Sequence, residues 1–407
     1  MIITNEFKDD EFESDIEIEE GNENVIIEIP FDPNKIKVVT KSYSVGQIVQ
    51  DLEDKTIDLD TEFQRLPGLW NNEKKSQFIE SLLLNLPIPT FYFNEKEENS
   101  WEVIDGLQRI STINAFLVEK TLKLSGLEFL KEYNGFKFEE LPNPLQKRIT
   151  RFGITVYIIE KGTPVEVKFH IFKRVNTGGL MLTPQEIRHA INQGLPAELV
   201  ADLVRGKDNK TDNGEIRIRK NNNGKYINLL ATDEGKSFVK ATENRISSTR
   251  MEDRDFVTRF VSFYLISYLE YKPDLDTFLN KGMEKIKELD DDGIISLKQD
   301  FKAAMNLSYD IFGNDAFRKR FKKTDKRKPI NKALFEVLSV NFAQLSDDDR
   351  EMLKKRKNIF KQKLIDLHNF SDGKFVRSIS QGTAQKDLVH QRFNDVEKII
   401  NETLKND

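Results

Sequence analysis

Strand and helix patterns alternate only in the first half of this 407-residue chain, and this switch constrains the fold more than any other feature. Between residues 42 and 195, short apolar stretches alternate with amphipathic helical stretches, which is typical of an α/β domain. Beyond residue 195 the strand patterns fade and most apolar stretches have helical spacing. The sequence therefore predicts an α+β chain, in which an α/β domain precedes a mainly α-helical domain.

Local signals place the elements of the first domain. Ser44 and Gln47 form a capping box at the start of a helix. Thr163 and Thr183 each precede a proline and, three residues later, a glutamate, which predicts two further helix starts. A helix is also predicted over residues 72–85. The predicted strands are Ile57–Leu59, Thr90–Phe93, Trp101–Asp105 and the alternating residues Ile154, Val156 and Ile158.

The second domain is predicted as a series of helices after an exposed loop or small hairpin at residues 207–225. Ser346 followed by three aspartates marks one helix start. The predicted helices cover roughly residues 253–270, 274–289, 296–312, 330–345, 346–369 and 384–405.

Charge is distributed very unevenly along the chain. The net charge is −5, yet residues 1–34 hold twelve acids and one base, so that residues 35–407 are net positive. Residues 1–34 are therefore predicted to be an acidic, mostly disordered tail, followed by domains at 35–195 and 196–407. Two roles remain open for this tail: it either solubilises the chain or shields a basic surface.

Composition excludes several kinds of chemistry. The chain has no cysteine, which excludes disulfides, thiol nucleophiles and Cys-ligated metal sites, and its four histidines are scattered, so no metal site is predicted. The longest uncharged apolar stretch, Ser81–Asn94, is shorter than the ~20 residues needed to cross a bilayer. We therefore expect a cytoplasmic protein without a membrane partner.

The segment Asp105–Arg109 (DGLQR) lies between a predicted strand and a predicted helix. Such a turn exposes backbone N–H groups that favour phosphate, and Gly106 lets a ligand approach the backbone. Arg109 has the geometry to bind phosphate oxygens, while Asp105 suits Mg²⁺, a ribose or a base. Ser111 and Thr112 add hydroxyl groups. The structural alternative is a capped helix with Arg109 on its surface.

Two other polar clusters lie at the ends of predicted elements. Gln64 and Arg65 precede a Pro-Gly turn, and Arg174 and Asn176 precede a Gly-Gly turn. Polar groups at element ends of one α/β domain often converge on a single pocket. These residues are therefore further candidates for a binding site that contains Asp105.

In these motifs the chain resembles the DGQQR-motif family, the N-terminal domain of GmrSD-type modification-dependent restriction enzymes and of SspE-like defence proteins. The resemblance covers about residues 40–195. The motifs that carry it, in order, are Phe63-Gln64-Arg65, Leu86–Pro89, Asp105–Arg109 followed by Ser-Thr-Ile, and Phe172–Asn176 with Gly-Gly, Leu182 and Glu186. The family implies a ParB/sulfiredoxin-like α/β fold, binding and often hydrolysis of a nucleoside triphosphate, and a role in bacterial defence.

This resemblance assigns roles to the candidate residues. The cofactor is expected to be Mg²⁺ with a nucleoside triphosphate (GTP, ATP or CTP). Leu107 stands where the namesake motif has glutamine, so that Gln108 remains to orient an attacking water. The expected catalytic residues are Asp105, Gln108 and Arg109. The expected nucleotide-binding residues are Gln64, Arg65, Gly106, Ser111, Thr112, Arg174 and Asn176.

The second departure from the family concerns DNA cleavage. Complete restriction members carry a C-terminal His-Asn-His-type nuclease domain, whose site needs a histidine base and a metal-binding set. Here the C-terminal half offers only His368 and His390, and both lie in helical patterns. His368 is predicted to be part of a helix end. We therefore expect any nuclease or toxin to be encoded separately, and a self-sufficient nuclease is the less favoured alternative.

Two segments of the second domain are strongly basic. Residues 317–332 hold nine Lys/Arg and one acid, and residues 350–363 hold seven and one, with phenylalanines interleaved. This is the pattern of a surface that binds DNA or another polyanion, although a solvated helix face is an equal alternative. The expected DNA-binding residues are Arg318, Lys319, Arg320, Lys322, Lys323, Lys326, Arg327 and Lys328.

Together these features predict a nucleotide-binding, nucleotide-hydrolysing component of a prokaryotic anti-phage or modified-DNA restriction system. The alternative is a non-enzymatic, ParB-like DNA-binding or antitoxin-like partner of a separately encoded effector. Leu107 and the absence of a recognisable nuclease motif favour that alternative.

Overall fold

The computed structural model describes residues 15–17, 37–59, 70–97, 100–175, 182–210, 214–220, 226–370 and 373–405. The chain divides into two compact units. The α/β unit is Pro30–Ile191, and the helical unit combines Met1–Ile29 with Asn192–Asp407. The predicted α+β class is confirmed, whereas the ParB/sulfiredoxin-like fold stays a prediction. No helix in the described part of the chain is both long and apolar enough to cross a membrane.

The α/β unit is built on a mixed five-stranded sheet. Its strands are β1 Val38–Ser44, β2 Ile57–Asp58, β3 Phe91–Glu97, β4 Ser100–Asp105 and β5 Gly153–Ile159. Their order in the sheet is β1-β5-β3-β4-β2. The β5–β3 and β4–β2 pairs are parallel, and the β1–β5 and β3–β4 pairs are antiparallel. Strand β1 was not predicted from the sequence.

The described residues of this unit form six α-helices. They are α1 Val45–Glu53, α2 Asn72–Leu83, α3 Leu107–Ile113, α4 Asn143–Thr150, α5 Val165–Val175 and α6 Pro184–Ile191. The predicted capping box of Ser44 and Gln47 is confirmed at the start of α1. That of Thr183 and Glu186 is confirmed at the start of α6, with N–H···O distances of 2.7 and 3.1 Å. A π-helical turn over Asn114–Val118 continues α3.

The two faces of the sheet pack against different helices. One face forms the main core of the unit with α1, α2 and α3, and contains Phe93, Val103 and Val156. The other face forms a smaller apolar cluster with α5 and α6, and contains Ile104 and Ile159. Because neighbouring residues of a strand point to opposite faces, β4 is buried from both sides and ends at Asp105 between the two layers.

The helical unit contains ten helices and a small hairpin among its described residues. The hairpin pairs β6 Ile218–Lys220 with β7 Tyr226–Asn228. Five helices precede the first basic segment: α7 Leu195–Val204, α8 Asp233–Thr242, α9 Glu252–Leu265, α10 Leu275–Ile286 and α11 Asp291–Phe312. Five follow it: α12 Lys332–Ala343, α13 Asp347–Lys355, α14 Lys357–His368, α15 Lys374–Ser378 and α16 Lys386–Lys405.

The helix predicted over residues 346–369 is in fact two helices. It is interrupted at Arg356, whose guanidinium donates to the carbonyl oxygens of Thr403 and Leu404 at 3.0 and 2.9 Å. This long-range contact with α16 has no local sequence signal. Helices α7 and α8 were not predicted.

An ion triad lies inside the helical unit. Glu336 of α12 is fully buried between Arg259 of α9 and Arg392 of α16, which are 3% and 1% exposed. Arg392 also donates to the carbonyl oxygens of Ser378 and Thr383 at 3.2 and 2.7 Å. The triad therefore connects three helices and the loop before α16 by charge-assisted hydrogen bonds.

Replacing Glu336 with glutamine should destabilise the helical unit by about 3 kcal/mol, because it removes the carboxylate that pairs with buried Arg392 and one of the two that pair with buried Arg259. Urea unfolding measures this loss. The matched control is Glu351→Gln on exposed α13, which should stay within about 0.5 kcal/mol of wild type. Equal stability of both variants would show that the triad does not hold these helices together.

Candidate functional site

The DGLQR segment forms a tight turn between β4 and α3. Gly106 lies in the left-handed region, with φ of 100° and ψ of 10°. A Cβ atom at this position would come within 2.4 Å of the Phe91 ring. Glycine is therefore required on two counts, backbone conformation and space. The close approach that the structure shows is to Phe91 of β3, a residue that the sequence did not suggest.

Arg109 fastens this turn to β3. Its guanidinium forms an ion pair with Asp105 at 2.8 Å and donates to the carbonyl oxygens of Pro89 and, at 3.2 Å, Thr90. It also lies 4.4 Å from the centroid of the Phe91 ring, in cation–π geometry. The Arg109 side chain is only 10% exposed. In this arrangement it holds the motif in place, and both of its terminal guanidinium nitrogens already donate hydrogen bonds.

Burial affects both charged groups of this pair. It raises the pKa of Asp105 above its ordinary value, although Arg109 and the Gly106 N–H act in the opposite direction. Burial also lowers the pKa of Arg109, and the Asp105 carboxylate opposes that change. Asp105 keeps 30% of its side chain exposed, so its carboxylate is the accessible group of the pair.

The other polar residues of the motif differ in their environment. Gln108 accepts a hydrogen bond through Oε1 from the backbone N–H of Trp70 at 3.3 Å. Thr112 donates to the Gln108 carbonyl oxygen at 2.6 Å, which is an intrahelical contact. The Ser111 hydroxyl is buried and has no hydrogen bond to any residue that the structure describes. Asp105 and Gln108 are thus partly accessible at the turn, whereas the hydroxyl groups of Ser111 and Thr112 are buried.

The structure describes only one of the four remaining residues that are predicted to line the pocket. Gln64, Arg65 and Asn176 lie outside the described residues. Arg174 is exposed near the C-terminal end of α5. Whether these side chains share a pocket with Asp105 stays a prediction.

Described residues that flank Arg65 and Asn176 in the sequence lie near the DGLQR turn. Trp70, five residues after Arg65, is bonded to Gln108. Phe172 and Leu182, on either side of Asn176, pack in the same apolar cluster as Ile104, the neighbour of Asp105. Trp70 and the apolar cluster that contains Phe172 and Leu182 therefore lie close to the carboxyl end of β4.

A buried polar cluster on the second face of the sheet was missed from the sequence. The Lys168 ammonium donates to Asn94 Oδ1 at 2.7 Å, and the Asn94 amide donates to Glu102 Oε2 at 3.4 Å. Glu102 is only 2% exposed. The available signal in the sequence was Glu102, an acidic residue inside the otherwise apolar strand segment Trp101–Ile104. The cluster fixes α5 over the sheet.

The expected DNA-binding residues of the helical unit divide into two groups. In the first group each side chain has an intramolecular partner: Arg318 with the Lys328 carbonyl, Lys319 with Glu17 and Ser380, Arg320 with Asp315, and Arg327 with Glu243. The second group is exposed and has no ion pair with any described residue: Lys322, Lys323, Lys326 and Lys328. Only the second group retains fully available charge.

The second basic segment approaches the first. Burial lowers the pKa of Lys361 of α14, and the nearby positive charges of Lys357 and Arg320 lower it further. Asn369, just after α14, donates to the Phe321 carbonyl oxygen at 2.6 Å, and Phe321 packs against His368, so that the end of α14 lies beside the first basic segment. Basic residues from both segments therefore contribute to one surface.

His368 is a structural residue, as predicted. It is the last residue of α14, is 3% exposed and packs edge-on against Phe321 and Phe375. Its Nδ1 lies 2.7 Å from the Leu364 carbonyl oxygen, and burial lowers the pKa of its imidazole to about 4. A neutral, enclosed ring of this kind does not suit an exposed nuclease base.

Replacing Arg109 with lysine should destabilise the α/β unit by roughly 2 kcal/mol, because an ammonium group cannot hold Asp105 and two carbonyl groups in a planar fork. Urea unfolding followed by tryptophan fluorescence measures the loss, since both tryptophans lie in this unit. Arg151→Lys, on the exposed end of α4, is the control. Equal stability of the two variants would contradict the structural role of Arg109.

Comparison with known families identifies the domain that contains this turn. The model described as GmrSD restriction endonuclease, N-terminal domain, matches residues 45–192, which include α1 to α6 and the strands β2 to β5. Neither the curated proteins nor the solved structures gave a significant match. Residues 45–192 are therefore similar to the N-terminal domain of GmrSD restriction endonucleases, a domain of restriction and defence systems.

Proposed function

We propose that this chain is the nucleotide-binding component of a DNA-directed restriction system, with the nucleoside triphosphate bound at the turn between β4 and α3. The observation that carries the proposal is the partly exposed Asp105 carboxylate beside the left-handed Gly106, at the start of α3 in a GmrSD-type domain. Free N–H groups at a helix start favour phosphate, and an adjacent carboxylate suits its metal counterion.

The donor set fits Mg²⁺ better than a metal held by protein alone. Among the described residues there is no group of three or more metal-binding side chains, so Asp105 is a single carboxylate ligand at this turn. Mg²⁺ is commonly held by one or two carboxylates together with substrate phosphates and water. When bound, it would neutralise phosphate charge. Arg109 would then act as a positioning residue that sets the direction of the Asp105 carboxylate.

Convergence of neighbouring segments supports a pocket at this place. Trp70 is held to Gln108, which keeps the segment with Arg65 within about 17 Å of the motif, at ~3.4 Å per residue. Phe172 and Leu182, which flank Asn176 in the sequence, pack in the apolar cluster that contains Ile104. We propose that these segments supply the side chains that surround the nucleotide.

Hydrolysis depends on Gln108. Leu107 is buried, at 6% exposure, and packs in the core, so it has no part in orienting water. The Gln108 carbonyl oxygen atom Oε1 accepts from Trp70, which leaves its amide N–H groups to position a water. Because the Trp70 N–H already bonds to Gln108 Oε1, this oxygen is less available to accept from an attacking water. This favours the second candidate function, in which the nucleotide is bound as a signal and not hydrolysed.

We further propose that the helical unit binds DNA and that a separately encoded nuclease or toxin provides cleavage. The exposed lysines at 322, 323, 326 and 328 support DNA binding, because unpaired surface charge is available to neutralise phosphates. The enclosed imidazole of His368, whose pKa is lowered to about 4, supports a separate nuclease.

Calorimetric titration of the full chain with GTP, ATP and CTP in the presence of Mg²⁺ tests the nucleotide site. At least one of them should bind, and Asp105→Asn should weaken its binding by about tenfold or more, since it removes a charged metal ligand. Asp54→Asn, at the exposed end of α1, is the control and should bind like wild type. The nucleotide proposal fails if wild type binds none of the three.

Turnover by the same protein separates the two candidate functions. Multiple turnover that Gln108→Ala reduces while nucleotide affinity is kept would establish hydrolysis. Tight binding without turnover would establish the sensing role.

Neutralising the four exposed lysines (Lys322, Lys323, Lys326 and Lys328→Gln) should weaken DNA binding and reduce the slope of log affinity against log salt by up to about 3.6, at ~0.9 per phosphate contact. Fluorescence anisotropy with a 20-base-pair duplex measures both. The matched control is Lys123, Lys131, Lys147 and Lys161→Gln, which removes the same charge from exposed sites of the α/β unit. Equal slopes for the two variants would exclude this DNA surface.

A further inference from the structure

Part of the acidic N-terminal segment packs on the helical unit. Asp15, Ile16 and Glu17 lie beside Ile330, with the Ile330 N–H donating to the Asp15 carbonyl and the Glu17 N–H donating to the Ile330 carbonyl, both at 2.9 Å. Ile16 forms a parallel bridge with Ile330, is 7% exposed and belongs to the main core of the helical unit. We call residues 15–17 the clip.

The clip places a carboxylate in a cradle of the basic segment. One oxygen of Glu17 pairs with the Lys319 ammonium at 2.5 Å, and the other accepts from the Asn331 amide at 3.1 Å. Lys319 also donates to Ser380 at 2.6 Å. A second pair, Asp15 with Arg245, lies at 3.3 Å. An ammonium and an amide N–H around one carboxylate are the same kinds of donors that bind a phosphodiester.

The clip also limits how far the neighbouring acidic residues in the sequence can lie from the basic segment. Residues 1–34 hold ten further acids besides Asp15 and Glu17, of which Glu13, Glu19 and Glu20 are nearest to the clip in sequence. Glu19 and Glu20 are three and four residues from Ile16, a reach of at most about 14 Å. Tethering at this distance gives these charges a high effective concentration beside Lys319.

We propose that the acidic N-terminal segment is an intramolecular competitor of DNA, in which Glu17 occupies the position of a DNA phosphate in the Lys319–Asn331 cradle. The inference rests on the proposed binding of DNA to this basic surface. DNA binding then requires the segment to leave, so that the affinity of the full chain is lower than that of the open surface. This explains why the strongest negative and positive charge densities of the chain belong to one structural unit.

The contacts favour a phosphate backbone over an acidic protein as the displacing ligand. Lys322, Lys323, Lys326 and Lys328 follow Lys319 within nine residues and are exposed, which matches a regularly charged polymer. Competition between two polyanions for one surface is screened by salt, so its effect should decrease as ionic strength rises.

The first test removes charge while keeping the clip. Glu13, Glu19 and Glu20→Gln should bind a 20-base-pair DNA duplex about fivefold more tightly than wild type at 50 mM salt, and the gain should shrink at 300 mM salt. The matched control is Glu53→Gln, Asp54→Asn and Glu132→Gln, which removes three exposed acids from the α/β unit. It should bind like wild type.

The second test locks the clip. Bridged residues on neighbouring strands lie ~5 Å apart, which suits a disulfide, and the chain has no cysteine of its own. Ile16→Cys with Ile330→Cys should therefore bind DNA about tenfold more weakly when oxidised than when reduced, because oxidation holds Glu17 in its cradle. The oxidised and reduced states of the same double variant are compared, so a loss of stability that the two substitutions cause in both states does not affect the result.

The outcomes separate the two proposals. If wild type binds DNA but the charge variant and the oxidised lock bind equally well, the competition is overturned and the DNA surface stands. If no form binds DNA, the DNA surface fails, and the competition fails with it. A gain that appears with a duplex RNA probe and not with DNA would overturn the assignment of DNA as the ligand.

Discussion

The arrangement of the candidate site depends on the Arg109 guanidinium. It connects the carbonyl groups that precede β3 with the carboxylate at the end of β4, and it covers the Phe91 ring on which the Gly106 turn closes. Each contact limits the others, because the planar fork has one orientation over the ring. The Asp105 carboxylate is thereby held at the turn with 30% of its side chain exposed. Packing therefore accounts for Gly106 and Arg109, and the partly exposed Asp105 carboxylate is available for binding.

Local interactions of the fold were predictable from the sequence. The capping boxes at Ser44 and Thr183 involve residues three apart, and the alternation of Ile154, Val156 and Ile158 reports a strand directly. The α+β class followed from these patterns. The break at Arg356 was not predictable, because it depends on carbonyl groups 47 and 48 residues away.

The candidate site was predictable only in part, for the same reason. The position of the motif between strand and helix was correct, yet the partners of Arg109 are 19 and 20 residues distant, and a surface arginine and a buried one look alike in sequence. Similarly, the basic run at 318–328 mixes buried Arg318 with exposed Lys322, which charge counting cannot distinguish. The pairing of Glu17 with Lys319, 302 residues away, supports the shielding role proposed for the acidic tail, and it could not be read from the sequence.

The central claim is that the turn between β4 and α3 holds a nucleoside triphosphate. A crystal structure of the full chain, soaked with Mg²⁺ and a non-hydrolysable analogue of whichever triphosphate binds, tests it most directly. The account predicts phosphate density over the Gly106–Gln108 backbone, a metal within coordination distance of Asp105, and an unchanged Arg109 fork. Nucleotide density elsewhere, or an Arg109 that leaves Asp105 to bind phosphate, would contradict it.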